Sequence, residues 1–151
     1  MRSRRWAPWW FVVVLGVLLG SAGVARAQPA PTELPAADQA AIRAVIASQI
    51  GAFRRDDDSA AFALASPNIQ HLFGDAATFM AMVRRGYAPV YRPGAVAFGP
   101  LVTTDGRIEQ RVQLTGPDGA PALALYDMER EPDGSWRIDG CMLVPGESVG
   151  A

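Results

Sequence analysis

The segment Asp105–Asp139, DGRIEQRVQLTGPDGAPALALYDMEREPDGSWRID, carries turn signals at near-regular spacing: Asp105-Gly106, Pro117-Asp118-Gly119 and Pro132-Asp133-Gly134. Between them the apolar residues recur with a period near two, as they do on a pleated strand with one buried face. Pro-Asp-Gly fits a type I turn whose glycine takes the left-handed position of a hairpin bulge. Three hairpins in succession predict a four-stranded antiparallel meander with strands over 95–102, 107–115, 122–130 and 135–144.

Parity assigns the faces. Ile108, Val112 and Leu114 point one way, and Arg107, Glu109, Arg111 and Gln113 the other, so the second strand is half solvated. Leu123 and Leu125 alternate with Ala124, Tyr126 and Met128, which predicts a central strand covered on both faces. The fourth strand sets Trp136, Ile138 and Met142 against Arg137, Asp139, Cys141 and Leu143, unless Gly140 marks a bulge that resets the alternation.

Upstream the period is helical. Ile42, Val45, Ile46, Ile50 and Phe53 form one apolar stripe that ends at Arg54-Arg55, where basic groups suit the carbonyl end of a helix. Asp57 or Asp58 caps a second helix that Ser66-Pro67 stops, and Asp75 caps a third that buries Phe79, Met82 and Val83. NIQHLFG between them reads as one helical turn closed by Gly74. The expected class is α+β: three N-terminal helices packed on a curved four-stranded meander.

The chain begins with a basic MRSRRW, an apolar run from Trp9 to Leu19, and Ala25-Arg26-Ala27. That order is the pattern of a signal peptide cleaved after Ala27, and the apolar run is shorter than the roughly 20 residues of a membrane span. The predicted layout is a signal peptide at 1–27, a proline-rich flexible lead-in at 28–36, one domain at 37–146 and a disordered tail at 147–151, in a periplasmic or secreted protein with no membrane span after cleavage. Without Arg2, Arg4, Arg5 and Arg26, ten basic side chains face fifteen acidic ones, a balance that disfavours nucleic acid as a partner. One cysteine, Cys141, and one histidine, His71, allow no internal disulfide and no usual zinc or haem site. No cofactor is expected, and Asp56-Asp57-Asp58 reads as a solvated helix end rather than a metal site.

The tail DGSWRIDGCMLVPG, the run MVRRGYAPVYRP and the export signal together resemble a family of small exported bacterial proteins catalogued as a domain of unknown function, number 4864. The likeness covers roughly Ala40 to Pro145. It implies a cone of the cystatin-like, nuclear transport factor two-like kind. That superfamily hosts enzymes, binding modules and interaction domains alike, and the family brings no catalytic residues.

Three places are candidate sites. In Met82–Gly94, MVRRGYAPVYRPG, Arg84 and Arg85 suit a helix end, while Tyr87 and Tyr91 either cover the open end of the sheet or pack on a ligand. Arg92 would clamp an anion or pair with Asp75 or another surface acid. A pocket between helices and sheet would take Phe62, Phe79, Tyr91, Phe98 and Met128 as lining, with Tyr87 and Arg92 at its mouth. Cys141 is a buried inert thiol or, in the functional alternative, one that reacts or bridges to a second chain. Proton-transfer catalysis would need Asp127 or Asp139 with Tyr126 as electrophilic partner; parity places both acids on the wetter face in cross-strand ion pairs, so no catalytic residue is assigned. The expectation is a small-molecule-binding or interaction module. An isomerase- or dehydratase-like enzyme and a homodimer joined through the outer sheet face are the alternatives.

Overall fold

The computed structural model describes residues 33–146. The expected signal peptide, most of the lead-in and the tail lie outside the described residues. Among those described, no helix is long and apolar enough to cross a membrane.

The helical half comprises α1 (Ala36–Arg54), α2 (Asp58–Ala63), α3 (Pro67–Phe73), α4 (Ala76–Gly86) and α5 (Ala88–Tyr91). α1 buries Ile42, Ile46, Ile50 and Phe53 as its stripe predicts, each burial worth about 1.5–3 kcal/mol. Its first turn is tied to the sheet, because Asp38 accepts the Trp136 indole N–H at 3.1 Å. Asp57 caps α2 through the Ala60 N–H, and Asp75 caps α4 through the Thr78 N–H.

Five helices stand where three were expected. Ser66-Pro67, read as a stop, is a start: the Ser66 hydroxyl accepts the Ile69 N–H at 3.2 Å, and Pro67 occupies the first turn, where its missing N–H costs nothing. The same property lets Pro89 open α5, so the segment around Tyr91 is a helical turn. α1 already begins at Ala36, one residue inside the expected lead-in.

The sheet-forming half is β1 (Ala95–Thr104), β2 (Arg107–Thr115), β3 (Pro121–Arg130) and β4 (Trp136–Pro145), an open antiparallel sheet in the order β1-β2-β3-β4. Asp105 and Gly106 both take positive φ, 50° and 79°, in a two-residue turn. The two Pro-Asp-Gly turns close alike. Gly119 N–H donates to Gly116 O and Gly134 N–H to Glu131 O, with each glycine left-handed at φ 80° and 84°.

Two bulges break the register. Phe98 pairs with Val112 but Leu101 with Gln110, so Gly99-Pro100 are accommodated opposite Arg111. Asp127 pairs with Gly140 but Met128 with Ile138, which makes Asp139 the extra residue of β4. The alternation therefore inverts after Asp139. Cys141 and Leu143 join Trp136 and Ile138 on the core face, and Met142 turns outward, 58% exposed. The bulge is the reason simple parity fails there. The helices pack on the face that carries Val112, Ala124 and Tyr126, whereas Leu123 and Leu125 of β3 are only half-buried, so that strand is covered on one face and not on both.

Candidate functional site

Between the helices and the core face of the sheet lies a pocket of about 400 Å³. This is within the range that small molecules occupy. Ile69, Leu72 and Phe73 of α3 border it on one side and Phe79, Met82 and Val83 of α4 on another. α1 contributes Gln49 and Phe53, and the sheet contributes Tyr126, Ile138, Gly140 and Cys141 as the floor. Tyr87, at the junction of α4 and α5, completes the wall. Phe79 anchors the aromatic part, with its ring centroid 5.5 Å from Phe62, 5.6 Å from Phe73 and 6.4 Å from Phe53.

The polar atoms of this pocket are few. Tyr87 donates its hydroxyl to the Cys141 carbonyl at 2.9 Å, and the buried Gln49 amide donates to the Ala61 carbonyl at 3.2 Å. Tyr126 is completely buried, and its hydroxyl has no hydrogen-bond partner. The Cys141 thiol lies beside that hydroxyl, across the β3–β4 register, as a weak sulfur neighbour. Burial pushes the thiol up to about 12, and it raises both tyrosines above the ordinary phenol value, so all three groups are neutral at pH 7.

The structure separates the residues that the sequence grouped. Tyr87 and Phe79 line the pocket. Phe62 touches it only through Phe79. Met128 is buried in the core and Phe98 is half-buried against it from β1, so neither reaches the pocket. Four residues after Tyr87, Tyr91 belongs to a different cluster on the outside. Its hydroxyl donates to Asp56, and its ring lies under Arg92 at 4.7 Å and Arg84 at 5.7 Å.

Arg92 binds Asp56 at 2.6 Å and the Arg54 carbonyl at 2.7 Å, and Arg84 binds Asp58 at 2.8 Å. The hydrogen bond from Tyr91, then the charges of Arg92 and Arg84, hold the Asp56 carboxyl below its ordinary range. Asp56 has φ 53°, the left-handed region that a non-glycine residue rarely adopts, so this clasp fixes the α1–α2 turn and joins it to α5. Arg92 thus pairs with a surface acid, Asp56 in place of Asp75, and both of its terminal nitrogens donate within the chain.

The strand acids are outside the pocket. Asp127 pairs with Arg107 at 3.2 Å, the cross-strand ion pair that parity predicts. Asp139 instead accepts the buried Ser66 hydroxyl at 2.6 Å, because the bulge aims it at the start of α3. His71 is exposed on α3. Gln49 and the whole α3 wall were not anticipated. The one sequence signal for Gln49 was its place on the apolar stripe of α1, where a polar residue is anomalous.

A family model described as Domain of unknown function (DUF4864) matches residues 35–151. The comparisons with curated proteins and with solved structures return no match.

Proposed function

We propose that this chain, which belongs to the family described as Domain of unknown function (DUF4864), is an exported binding protein that holds a small molecule between its helices and its sheet. The observation that carries the reading is the pocket of about 400 Å³, walled by aliphatic and aromatic side chains with Tyr87 and Gln49 among them. An apolar concavity with a few convergent polar groups is the usual form of a ligand site. The helix-then-meander order is that of a cystatin-like, nuclear transport factor two-like cone, and the opening residues carry the pattern of a cleaved signal.

Binding is favoured over proton transfer by the chemistry of the lining. Gln49, two tyrosines with raised pKa values and a thiol near 12 offer no base at neutral pH, and Asp127 and Asp139 are engaged elsewhere.

Native mass spectrometry of the protein purified gently from its own host tests this reading. The expected result is an added small mass that is lost on denaturation, on a chain beginning at Gln28. An apo mass alone counts against a resident ligand, and a chain that retains residues 1–27 counts against cleavage.

A second reading has its own observation. The outer face of the sheet presents Leu123, Leu125 and Val144, half-buried, around the exposed Met142. Sedimentation at rising concentration would reveal a dimer through this face, and a Leu125→Glu substitution would abolish it. A strict monomer at high concentration would remove the reading.

A further inference from the structure

The lining of the pocket constrains what it can hold, on the premise that it is a binding site. Among the residues lining it none carries a formal charge, so an ionised ligand group placed inside would be desolvated without a counter-charge. Phe53, Phe73, Phe79, Met82 and Val83 supply apolar contact instead. What else a ligand carries is decided by the polar side chains that it can reach. The Tyr126 hydroxyl is not one of them, since it is sealed in the core against the Cys141 thiol.

Gln49 is differently placed. It sits on the apolar stripe of α1, is 3% exposed, and donates its amide nitrogen to the Ala61 carbonyl at 3.2 Å. That bond orients the amide, because the flipped amide would set its oxygen against the Ala61 oxygen, two acceptors with no proton between them. The Gln49 oxygen accepts nothing from the described residues, yet it is not among their fully buried unpartnered oxygens, which belong to Gln110, Tyr126 and Glu131. It therefore keeps a small accessible surface, and the pocket that Gln49 lines is where that surface opens. Tyr87 has used its donor on the Cys141 carbonyl at 2.9 Å and retains only lone pairs. Both side chains thus leave acceptors available and no donor. We propose that the pocket takes a neutral, largely apolar molecule with one hydroxyl, a phenol or an alcohol, which donates its proton to the Gln49 side-chain oxygen.

Calorimetric titration of the purified protein with three probes tests this: 2-naphthol, 2-methoxynaphthalene, whose ether oxygen has no proton to donate, and 2-naphthoate, which carries a charge. 2-Naphthol is expected to bind about tenfold tighter than its methyl ether, the effect of one net hydrogen bond set against an ether oxygen left unpaired. Gln49→Met, which keeps the length of the side chain and removes the acceptor, should bring the two affinities within about twofold of each other. Met82→Trp, which fills the pocket from its half-buried wall, should abolish binding of both. Equal affinity of the two neutral probes in the wild-type protein, a comparison that stands whether or not Gln49→Met folds, overturns the hydroxyl class and leaves the binding reading standing. A preference for 2-naphthol that survives Gln49→Met overturns the role of Gln49. Tighter binding of 2-naphthoate than of 2-naphthol overturns the neutral class, and failure of every probe to bind, or binding that persists in Met82→Trp, overturns the pocket assignment itself.

Discussion

Both edge strands of the sheet are interrupted by a bulge, yet β1 is repaired by a side chain of the sheet and β4 by the helices. At β1, Gln110 reaches across from β2 and donates its amide to the Gly99 carbonyl at 2.9 Å and to the Arg111 carbonyl at 2.8 Å. Pro100 removes one donor from that edge, which blunts it against pairing with another chain. At β4, the Ser66 N–H donates to the Ile138 carbonyl, the Ile138 N–H to the Leu64 carbonyl, the Ser66 hydroxyl to Asp139 and the Tyr87 hydroxyl to the Cys141 carbonyl. The first repair is made within the sheet. The second holds the start of α3 and the α4–α5 junction at two separate points along β4, and the pocket lies between those points. The β4 repair recruits other elements, and the concavity beside it is enclosed by both helices and sheet.

The comparison can be broken first at β1. Gln110→Ala removes the donor from buried carbonyls and leaves a void, and should cost about 3 kcal/mol in chemical denaturation. Gln110 is the cross-strand partner of Tyr126 but does not itself line the pocket, so binding of an apolar probe to the folded variant should be unchanged; a coupled loss of binding would show that the two edges are not independent. Ser66→Ala is expected to cost about 2 kcal/mol, through the lost bond to the Asp139 carboxylate and the lost cap of α3. Here probe binding should weaken together with stability, since α3 forms a wall. Retention of full affinity would mean that α3 is held in place by its apolar contacts alone.

The meander was legible almost to the residue, because turn chemistry is local: Pro-Asp-Gly demands the same geometry in any context. β1 and β2 begin where the pattern places them, β1 runs two residues further, β3 begins one residue earlier, and β4 is shifted by one residue at both ends. The helices were legible as apolar stripes but not in number, because Ser-Pro serves equally to end one helix and to begin the next. The site was legible only in Tyr87 and Phe79. Its remaining walls depend on where Asp139 interrupts β4, and although Gly140 signals a bulge there, which residue is extra is a property of two strands in register. Arg92 and Tyr91 misled because an arginine between prolines has the same appearance whether it awaits an anion or already holds Asp56.

The smaller effects sharpen the β4 side. Cys141 should resist iodoacetamide at pH 8 in the native protein and react on unfolding in urea, since a thiol pushed up to about 12 stays protonated there. Rapid native alkylation, or a disulfide-linked dimer under oxidising conditions, would place the thiol at the surface instead of beside Tyr126. The last prediction has the opposite sign to the rest. Tyr126→Phe deletes a buried hydroxyl that has no partner, so the ligand-free protein should become more stable, by about 1 kcal/mol, where deletion of a satisfied hydroxyl would destabilise it by a similar amount. The Gln110 amide, one cross-strand position away, shows the alternative: a buried polar group kept because the backbone needs it. If Tyr126→Phe destabilises the protein instead, the hydroxyl serves the fold as Gln110 does, through the Cys141 thiol beside it.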